Sequence, residues 1–207
     1  MDREAWQLPP AVIEALGHKE PFILSIDNTI DRKMVQERIT SILTIKSTEP
    51  LLLMFNSGGG EIESGLLLIS YLKMLKVPIV SLAVGKVGSM ALVIYLSMPQ
   101  KTRFAVPGST FLAHAASGGP GVSGQINIEE EKLRGLDFKQ ASRLFKFQWD
   151  SLIDHDKTTR KIIADALGDT IKYGGKKISL HEFLLYDHWI TAKIAEEIGI
   201  VSEIVMP

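Results

Sequence analysis

Three apolar runs of strand length dominate the first half of the chain, and each leads directly into residues that carry chemistry. Leu51–Phe55 leads into Asn56-Ser-Gly-Gly-Gly60, Ile79–Val84 leads into Gly85-Lys-Val-Gly-Ser-Met90, and the third run, Phe111-Leu-Ala-His114, ends in a histidine. Continuous apolar runs of this length are typical of strands that a sheet buries on both faces. The arrangement predicts a backbone oxyanion hole, a nucleophile and a general base built at strand ends.

Helical patterns separate these runs. Asp31 is a predicted N-cap for a helix to about Ile45, and a second predicted helix spans Glu61–Lys76, where Pro78 ends it. The segment after Ser89 is apolar on all sides, which predicts a central, fully buried helix. Further strands are predicted at 21–26, 102–106 and 110–113, and this alternation of strands and helices favours an α/β fold. Residues 1–20 are predicted to form an N-terminal segment appended to the core.

The second half of the chain is more polar. Residues 114–126 are rich in Gly, Ser and Pro, and a capping-box pattern at Asn127–Glu130 opens a predicted helix to about Asp154. Apolar residues cover too much of that helix for a solvated monomer, which predicts a partner. A hairpin turning at Gly174-Gly175 and a second capping box at Ser179–Glu182 follow.

Composition excludes several classes of function. The 207 residues fit one domain, 45% of them hydrophobic, with a net charge of −1 and scattered Lys and Arg, so no nucleic-acid surface is expected. The chain has no cysteine, which excludes thiol catalysis and disulfides. The polar start, Met1–Trp6, does not resemble a signal peptide, and Pro78 and Lys86 interrupt the longest apolar tract. We therefore expect no membrane span and a cytoplasmic location.

Each candidate site residue also has a purely structural interpretation. Ser89 is either a nucleophile or an N-cap, which is the commonest role of a serine before a helix. His114 is either a general base or an ordinary strand-end histidine. Gly58-Gly59-Gly60 forms an oxyanion site, a tight corner or a phosphate cradle, although it lacks the residue order of a P-loop.

Two further candidates are weaker. Lys86 precedes Ser89 by three residues and offers a Ser–Lys dyad, but on a turn it is expected to point to solvent. Asp154-His155-Asp156 offers metal ligands, but neighbouring residues of a helix point in different directions, so a solvated helix end is the preferred interpretation. No metal and no cofactor are predicted.

Taken together, the motifs resemble the proteolytic subunit of the Clp protease, a serine peptidase with a crotonase-like fold. Asn56–Gly60 is similar to the family's Asn-Ser-Pro-Gly-Gly, Gly85–Met90 to its Gly-x-x-Ala-Ser-Met, and Arg103–Ser109 to its Arg-Phe-Ala-Leu-Pro-Asn-Ser. His114 occupies the position of the family's base. Near the C-terminus, Asp187-His-Trp-Ile-Thr-Ala192 resembles the family's Asp-x-Phe-Met-Ser-Ala.

The resemblance implies a role for each residue. Ser89 is the implied nucleophile, His114 the base and Asp187 the residue that orients the base, while the backbone N–H groups of Gly59 and Met90 are the implied oxyanion donors. The implied fold has repeated β-β-α units in one domain over residues 21–207, with a protruding handle helix in a region at about 114–180.

The implied activity is cleavage of peptides or unfolded proteins by a homo-oligomer of one or two rings, a heptamer or a tetradecamer, with an AAA+ unfoldase as a candidate partner. Two alternatives remain open at this stage. One is an acyl-CoA enzyme of the crotonase superfamily, and the other is an inactive structural ring subunit. The chain also departs from the family's pattern, with Gly58 in place of proline, Tyr186 in place of arginine, and a longer stretch at about 157–185.

Overall fold

A computed structural model describes residues 7–114, 138–185 and 189–206 of the chain. The strands are β1 (Phe22–Ile30), β2 (Leu51–Gly60), β3 (Ile79–Gly88), β4 (Arg103–Ala105), β5 (Thr110–Leu112), β6 (Thr170–Tyr173), β7 (Lys176–Ser179), β8 (Ile190–Thr191) and β9 (Glu203–Ile204). The helices are α1 (Pro10–Ala15), α2 (Arg32–Ile42), α3 (Ile62–Met74), α4 (Met90–Leu96), α5 (Phe138–Leu167), α6 (Leu180–Leu185) and α7 (Ala192–Glu197).

The main sheet has the strand order β1-β2-β3-β4-β9, and all of these neighbours are parallel. The long strand β3 pairs with β4 through its first half and with β5 through its second half. Strand β8 adds to β5 in the antiparallel direction. Helices connect β1 to β2, β2 to β3 and β3 to β4, as parallel strands require. The predicted α/β fold class is confirmed.

The sheet is buried on both faces, as the continuous apolar run in β2 predicts. Leu51, Leu53 and Phe55 belong to one core with α2, α3 and α4, whereas Leu52 belongs to a second core on the opposite face. Successive side chains of a strand point to opposite faces, so one apolar run serves both cores.

Helix α1, in the segment predicted to be appended to the core, packs on the second face of the sheet. Val12 and Leu16 are fully buried there against Leu52 and Phe104. The two residues are four positions apart and therefore share one side of the helix. The division into residues 1–20 and a domain over 21–207 stays a prediction, but part of the N-terminal segment belongs to the core.

Most of the predicted elements are present with small shifts of their ends. The Asp31 side chain accepts a hydrogen bond from the Met34 N–H at 2.8 Å and thereby caps α2. The predicted hairpin at Gly174-Gly175 is formed by β6 and β7. Ser179 accepts from the Glu182 N–H at 3.0 Å at the start of α6.

The end of the long helix was predicted wrongly. Helix α5 continues to Leu167 instead of ending near Asp154, and Ile163 on its last turns is buried in the main core. Its predicted start at Asn127 and the loop at 115–126 lie outside the described residues. None of the helices within the described ranges is both long and apolar enough to cross a membrane.

Candidate active site

Ser89 lies between the end of β3 and the start of α4 with an unusual backbone conformation. Its φ is +51° and its ψ is −126°, a region that residues other than glycine rarely adopt. The Ser89 N–H donates to the Leu112 carbonyl at 2.9 Å, and its own carbonyl accepts from Leu92 and Val93 in the first turn of α4. The hydroxyl makes no capping hydrogen bond, so the N-cap interpretation of this side chain fails. A half-buried serine whose hydroxyl does not cap the helix is suited to act as a nucleophile.

The packing of α4 fixes the position of Ser89. Every residue of this helix is buried, and the Tyr95 ring packs against Phe55 of β2 and Phe111 of β5 at centroid distances of 5.2 and 5.7 Å. The Tyr95 hydroxyl donates to the Phe104 carbonyl at 2.9 Å, and burial raises its pKa well above the ordinary range. The helix after Ser89 is thus attached to three strands of the sheet.

Arg103 completes this support from the other end of α4. The side chain is fully buried, and its guanidinium donates to the carbonyls of Leu96 and Gly199. Burial lowers the pKa of this guanidinium, while the nearby Tyr95 opposes that shift. Through these two carbonyls, Arg103 connects the end of α4 to the turn after α7, so the role of its side chain is structural.

His114 follows β5 by two residues, close to the end of the strand that carries Ser89. Leu112 of β5 is paired with Gly88 of β3, and the two strands are parallel. Adjacent strands are about 4.8 Å apart, so the residues that follow Gly88 and Leu112 leave the sheet at the same edge. His114 is half-buried next to the buried Ala113. The fold therefore brings Ser89 and His114 to the same edge of the sheet, and their roles as nucleophile and base stay predictions.

Gly59 approaches the same point from β2. A Cβ atom at this position would lie 2.6 Å from the Ser89 Cβ and 2.9 Å from the Met90 nitrogen, and the φ of Gly59 is +106°. Only glycine tolerates this approach and this conformation. Met90 is the first residue of α4, so its N–H has no acceptor within the helix. The two predicted oxyanion donors are therefore neighbours of Ser89.

The Gly59 N–H is nevertheless engaged elsewhere. It donates to the Ser57 Oγ at 3.1 Å, and the Ser57 hydroxyl in turn donates to the Asn28 carbonyl on β1. Ser57 is almost fully buried, and Asn28 has a positive φ of 59° at an irregularity in the β1–β2 pairing. Sequence reasoning missed Ser57, because a serine within a glycine-rich motif carries no sign of which peptide group it binds.

On the C-terminal side of the site, the structure describes the chain from Trp189 onward. Trp189 lies against β3, where its Cη2 is 2.6 Å from the position that a Cβ on Gly88 would take. The Lys86 ammonium lies 5.9 Å from the centroid of the Trp189 ring, so this exposed lysine stacks on the indole. Asp187, the predicted third member of the triad, lies outside the described residues. Trp189 belongs to the C-terminal motif, but the sequence does not predict its contact with Gly88.

The three residues considered as metal ligands, Asp154-His155-Asp156, each pair with a different residue. Asp154 binds Lys157 at 3.3 Å, and Asp156 binds Arg160 at 2.6 Å. His155 points to Glu63 of α3 at 3.9 Å. The three side chains point in different directions, as expected, but they lie inside α5 and not at its end. Within the described ranges, no three His, Asp or Glu side chains are close enough to hold a metal ion.

Comparison with known proteins agrees with this geometry. The sequence matches the Clp protease family over residues 18–207. It is 25% identical over 180 residues to the "ATP-dependent Clp protease proteolytic subunit 2" of Treponema denticola, covering 86% of this chain and 77% of the relative. It is 27% identical over 179 residues to the "ATP-dependent Clp protease proteolytic subunit 3" of Rhizobium etli, covering 85% and 79%.

A solved structure supports the fold independently. A ClpP1 mutant from Listeria monocytogenes superimposes with a TM-score of 0.65 at 20% identity, and the match covers 95% of this chain and 94% of that one. The parallel sheet and its helical connections are therefore those of the predicted fold. Because the sequence match extends over nearly the whole length, the chain belongs to the Clp protease family.

Proposed function

We propose that this chain is the serine endopeptidase subunit of an oligomeric Clp-type protease and that Ser89 is its nucleophile. The observation that carries the proposal is the meeting of Ser89, Gly59 and Met90 at the strand ends, with Gly59 close enough to Ser89 that no side chain fits. A serine held by backbone bonds on both sides, with the peptide groups of Gly59 and Met90 beside it, can carry out acyl transfer once both N–H groups point to the reacting carbonyl. The family match supports the same reaction class.

In this mechanism His114 removes the hydroxyl proton as the Ser89 Oγ attacks the carbonyl carbon of the scissile peptide. The oxygen of that carbonyl becomes an oxyanion, which the N–H groups of Gly59 and Met90 stabilise. His114 then donates its proton to the leaving amine, and an acyl-enzyme remains on Ser89. Water, deprotonated by His114, attacks the ester and releases the second product with regeneration of Ser89.

Asp187 is proposed to orient His114, and the strand register supports this assignment. Phe111 of β5 is paired with Ile190 of β8 in the antiparallel direction. This pairing places β8 beside the strand that precedes His114, and Asp187 comes three residues before Ile190 in the sequence. Together with the resemblance of Asp187–Ala192 to the family's motif, this makes Asp187 the proposed partner of the imidazole.

We further propose peptides and unfolded proteins as substrates, a homo-oligomer of heptameric rings as the working state, and an AAA+ unfoldase as the partner. The basis is the family match and the names of the relatives, which are ATP-dependent proteolytic subunits. The acyl-CoA alternative has no supporting observation, because the matched family consists of proteases. An inactive ring subunit is an outcome that the next experiment detects.

Labelling with a serine-directed fluorophosphonate tests the nucleophile. The wild-type protein should be labelled on Ser89 and should cleave a fluorogenic peptide, whereas Ser89→Ala should lose both, with a decrease in kcat of several powers of ten. Ser70→Ala is the matched control, because Ser70 is exposed on α3 and bonds only locally to the Leu66 carbonyl. Full labelling of Ser89→Ala would refute the assignment, and no labelling of the wild type would favour an inactive subunit.

A further inference from the structure

The peptide group between Gly58 and Gly59 has an orientation that an oxyanion hole cannot use. Its N–H points to the Ser57 Oγ at 3.1 Å, and Ser57 in turn bonds to Asn28 on β1. Its carbonyl oxygen lies 3.1 Å from the position that a Cβ on Gly88 of β3 would take. The peptide bond is trans, so its C=O and N–H point in opposite directions. The carbonyl therefore faces the strand that carries Ser89, and the N–H faces away from it.

We propose that this is a closed state of the oxyanion hole, which Ser57 holds shut and which the reacting substrate opens by rotating the Gly58–Gly59 peptide. The inference rests on the proposed function. It assigns Ser57 as a positioning residue that acts through the Gly59 N–H and does not itself touch the substrate. The other proposed donor needs no such rotation, because Met90 already presents the first N–H of α4.

The local sequence permits this rotation. Rotating one peptide plane changes ψ of the residue before it and φ of the residue after it, and both of these residues are glycines. The rotation takes the φ of Gly59 from +106° into the negative region, which is open to every residue. A Cβ on Gly58 would meet no atom of the described residues within 4 Å, so these residues leave space beside the peptide.

The stronger hydrogen bond to the oxyanion favours rotation of the Gly58–Gly59 peptide. In the closed state the Gly59 N–H donates to a neutral hydroxyl, whereas in the transition state it can donate to an oxyanion. A hydrogen bond to a charged acceptor is roughly twice as strong as a neutral one. Ser57 keeps its bond to the Asn28 carbonyl after the N–H has left, so its buried hydroxyl is not left unpaired. Opening therefore accompanies the development of charge on the carbonyl oxygen of the substrate.

The test is the Ser57→Ala substitution in the full-length oligomeric protein. A peptide boronate, which forms a tetrahedral adduct with Ser89, and a fluorogenic peptide are the two probes. Removal of the hydroxyl abolishes the competing acceptor, so the boronate Kd should fall and kcat should rise by about threefold to tenfold, the range expected for one neutral hydrogen bond. KM should change by less than about twofold, because binding before the reaction does not use the oxyanion hole.

Ser81→Ala is the matched control for loss of a buried hydroxyl. Ser81 lies on β3 and is fully buried, and its Oγ has no hydrogen-bond partner in the part of the chain that the structure describes, so its removal should leave both readouts unchanged. If Ser57→Ala instead weakens boronate binding and lowers kcat, the hydroxyl supports an open hole and the inference is wrong. Unchanged values for Ser57→Ala would equally overturn it.

A second measurement uses the wild-type protein and does not depend on the folding of a variant. Crystal structures with and without the boronate should show the Gly59 N–H on the boronate oxygen in the adduct and on the Ser57 Oγ in the free protein. An adduct in which the N–H stays on Ser57 refutes the switch while leaving the proposed function intact. Absence of any adduct at Ser89 refutes the proposed function, and the inference falls with it.

Discussion

At the scale of single residues, the conformation of Ser89 is a strained local feature of the site. A residue other than glycine with a positive φ is strained by about 1–3 kcal/mol, and the fold maintains the strain through bonds to Leu112, Leu92 and Val93. Strain of this kind is tolerated where it presents a side chain for chemistry. The same backbone bonds that hold the strain also keep the hydroxyl clear of the first turn of α4.

This strain predicts a difference in stability between two variants that both remove the proposed nucleophile. Ser89→Gly should be more stable than Ser89→Ala by about 1 kcal/mol, because glycine adopts a positive φ without the clash that a Cβ causes. Thermal unfolding of both variants at one protomer concentration measures the difference. Equal stability, or a more stable alanine variant, would show that the positive φ is not strained in solution.

Asp187→Asn tests the third member of the proposed triad. The variant should fold normally but lose up to about 10⁴ in kcat, because an amide holds the imidazole in the wrong tautomer. Asp165→Asn and Asp169→Asn are the controls, since both residues are exposed aspartates of the same half of the chain. Steady-state hydrolysis of a peptide decides the matter. If a control lost activity while Asp187→Asn kept it, the assignment of the third residue would be wrong.

Tyr95 gives the protein a predictable weakness at alkaline pH. Burial raises the pKa of Tyr95 in the folded state, whereas in the unfolded chain the phenol ionises near pH 10. Above that pH the unfolded state has lost a proton that the folded state retains, so the free energy of unfolding falls by up to about 1.4 kcal/mol per pH unit.

Tyr95→Phe should remove this part of the pH dependence. Below about pH 10 the variant should be less stable by about 1 kcal/mol, because the hydrogen bond to the Phe104 carbonyl is lost, and above it the two stability curves should converge. Chemical denaturation between pH 8 and pH 11, values that bracket the ordinary tyrosine pKa of about 10, measures this. Tyr173→Phe, at a partly exposed position, is the control. Parallel curves for Tyr95→Phe and wild type would contradict the prediction.

At the scale of elements, Gly65 of α3 allows the Met90 side chain of α4 to pack closely against α3. A Cβ on Gly65 of α3 would lie 2.6 Å from the Met90 Cε and 2.9 Å from its Sδ, and would also meet its Cγ. The Met90 side chain therefore occupies the space that Gly65 leaves. Since the Met90 N–H is a proposed oxyanion donor, this helix contact lies directly behind the site.

The contact predicts a change of sign in a double-mutant cycle. Gly65→Ala alone should destabilise the fold and lower kcat, because the buried Met90 must move. In a Met90→Ala background the same change should stabilise the protein by about 1 kcal/mol, since the space is empty and alanine is the better helix former. Denaturation of the four proteins measures the coupling energy, and additive effects would show that the two residues do not compete for this space.

The elements also show how far sequence patterns reach. The apolar run Leu51–Phe55 is sufficient to predict a strand buried on both faces, because period and burial depend on that segment alone. The continuation of α5 past Asp154 depends on the burial of Ile163 in a distant core, which no local pattern contains. The role of α1 depends in the same way on a sheet face that other segments build.

The features of the site also differ in whether they depend on local sequence or on distant residues. That Ser89, His114 and Gly59 lie at one edge of the sheet follows from the sequence, because strand ends in a parallel sheet meet at one edge and the motifs mark those ends; the roles of these residues stay predictions. The direction of the Gly58–Gly59 peptide could not be predicted, because glycines allow both orientations and the choice depends on Ser57 and Asn28. The spacing of motifs along the sequence indicates which residues lie near one another, but it does not indicate how their peptide groups are oriented.

At the scale of the whole molecule, the chain has apolar surface that a monomer does not use. Leu67 and Met74 lie seven residues apart on α3, so they share one side of the helix, and they are 47% and 62% exposed. Leu43, just after α2, is 73% exposed. Helices α2 and α3 pack against each other, so these side chains belong to one layer of the protein. Such a surface supports the proposal that subunits associate.

The proposed handle helix gives the sharpest test of that association. Phe145 and Trp149 are large apolar residues in the sequence of α5, four positions apart and therefore on one side of the helix. If this side packs against another subunit, Phe145→Glu combined with Trp149→Glu should divide the oligomer into smaller species before it unfolds the subunit, because buried carboxylates strongly disfavour an apolar contact. Light scattering of the variant and the wild type at equal protomer concentration measures the mass.

Lys146→Glu is the matched control, because it makes the same total change in charge at an exposed position of the same helix, and it should leave the oligomer intact. Closed rings would enclose the serine sites in a chamber, which would explain how a peptidase with a generic triad spares folded proteins. The decisive comparison is therefore mass together with activity against a folded protein and a short peptide. A wild-type mass near 22.9 kDa with full peptidase activity would refute the chamber and leave only the chemistry of Ser89.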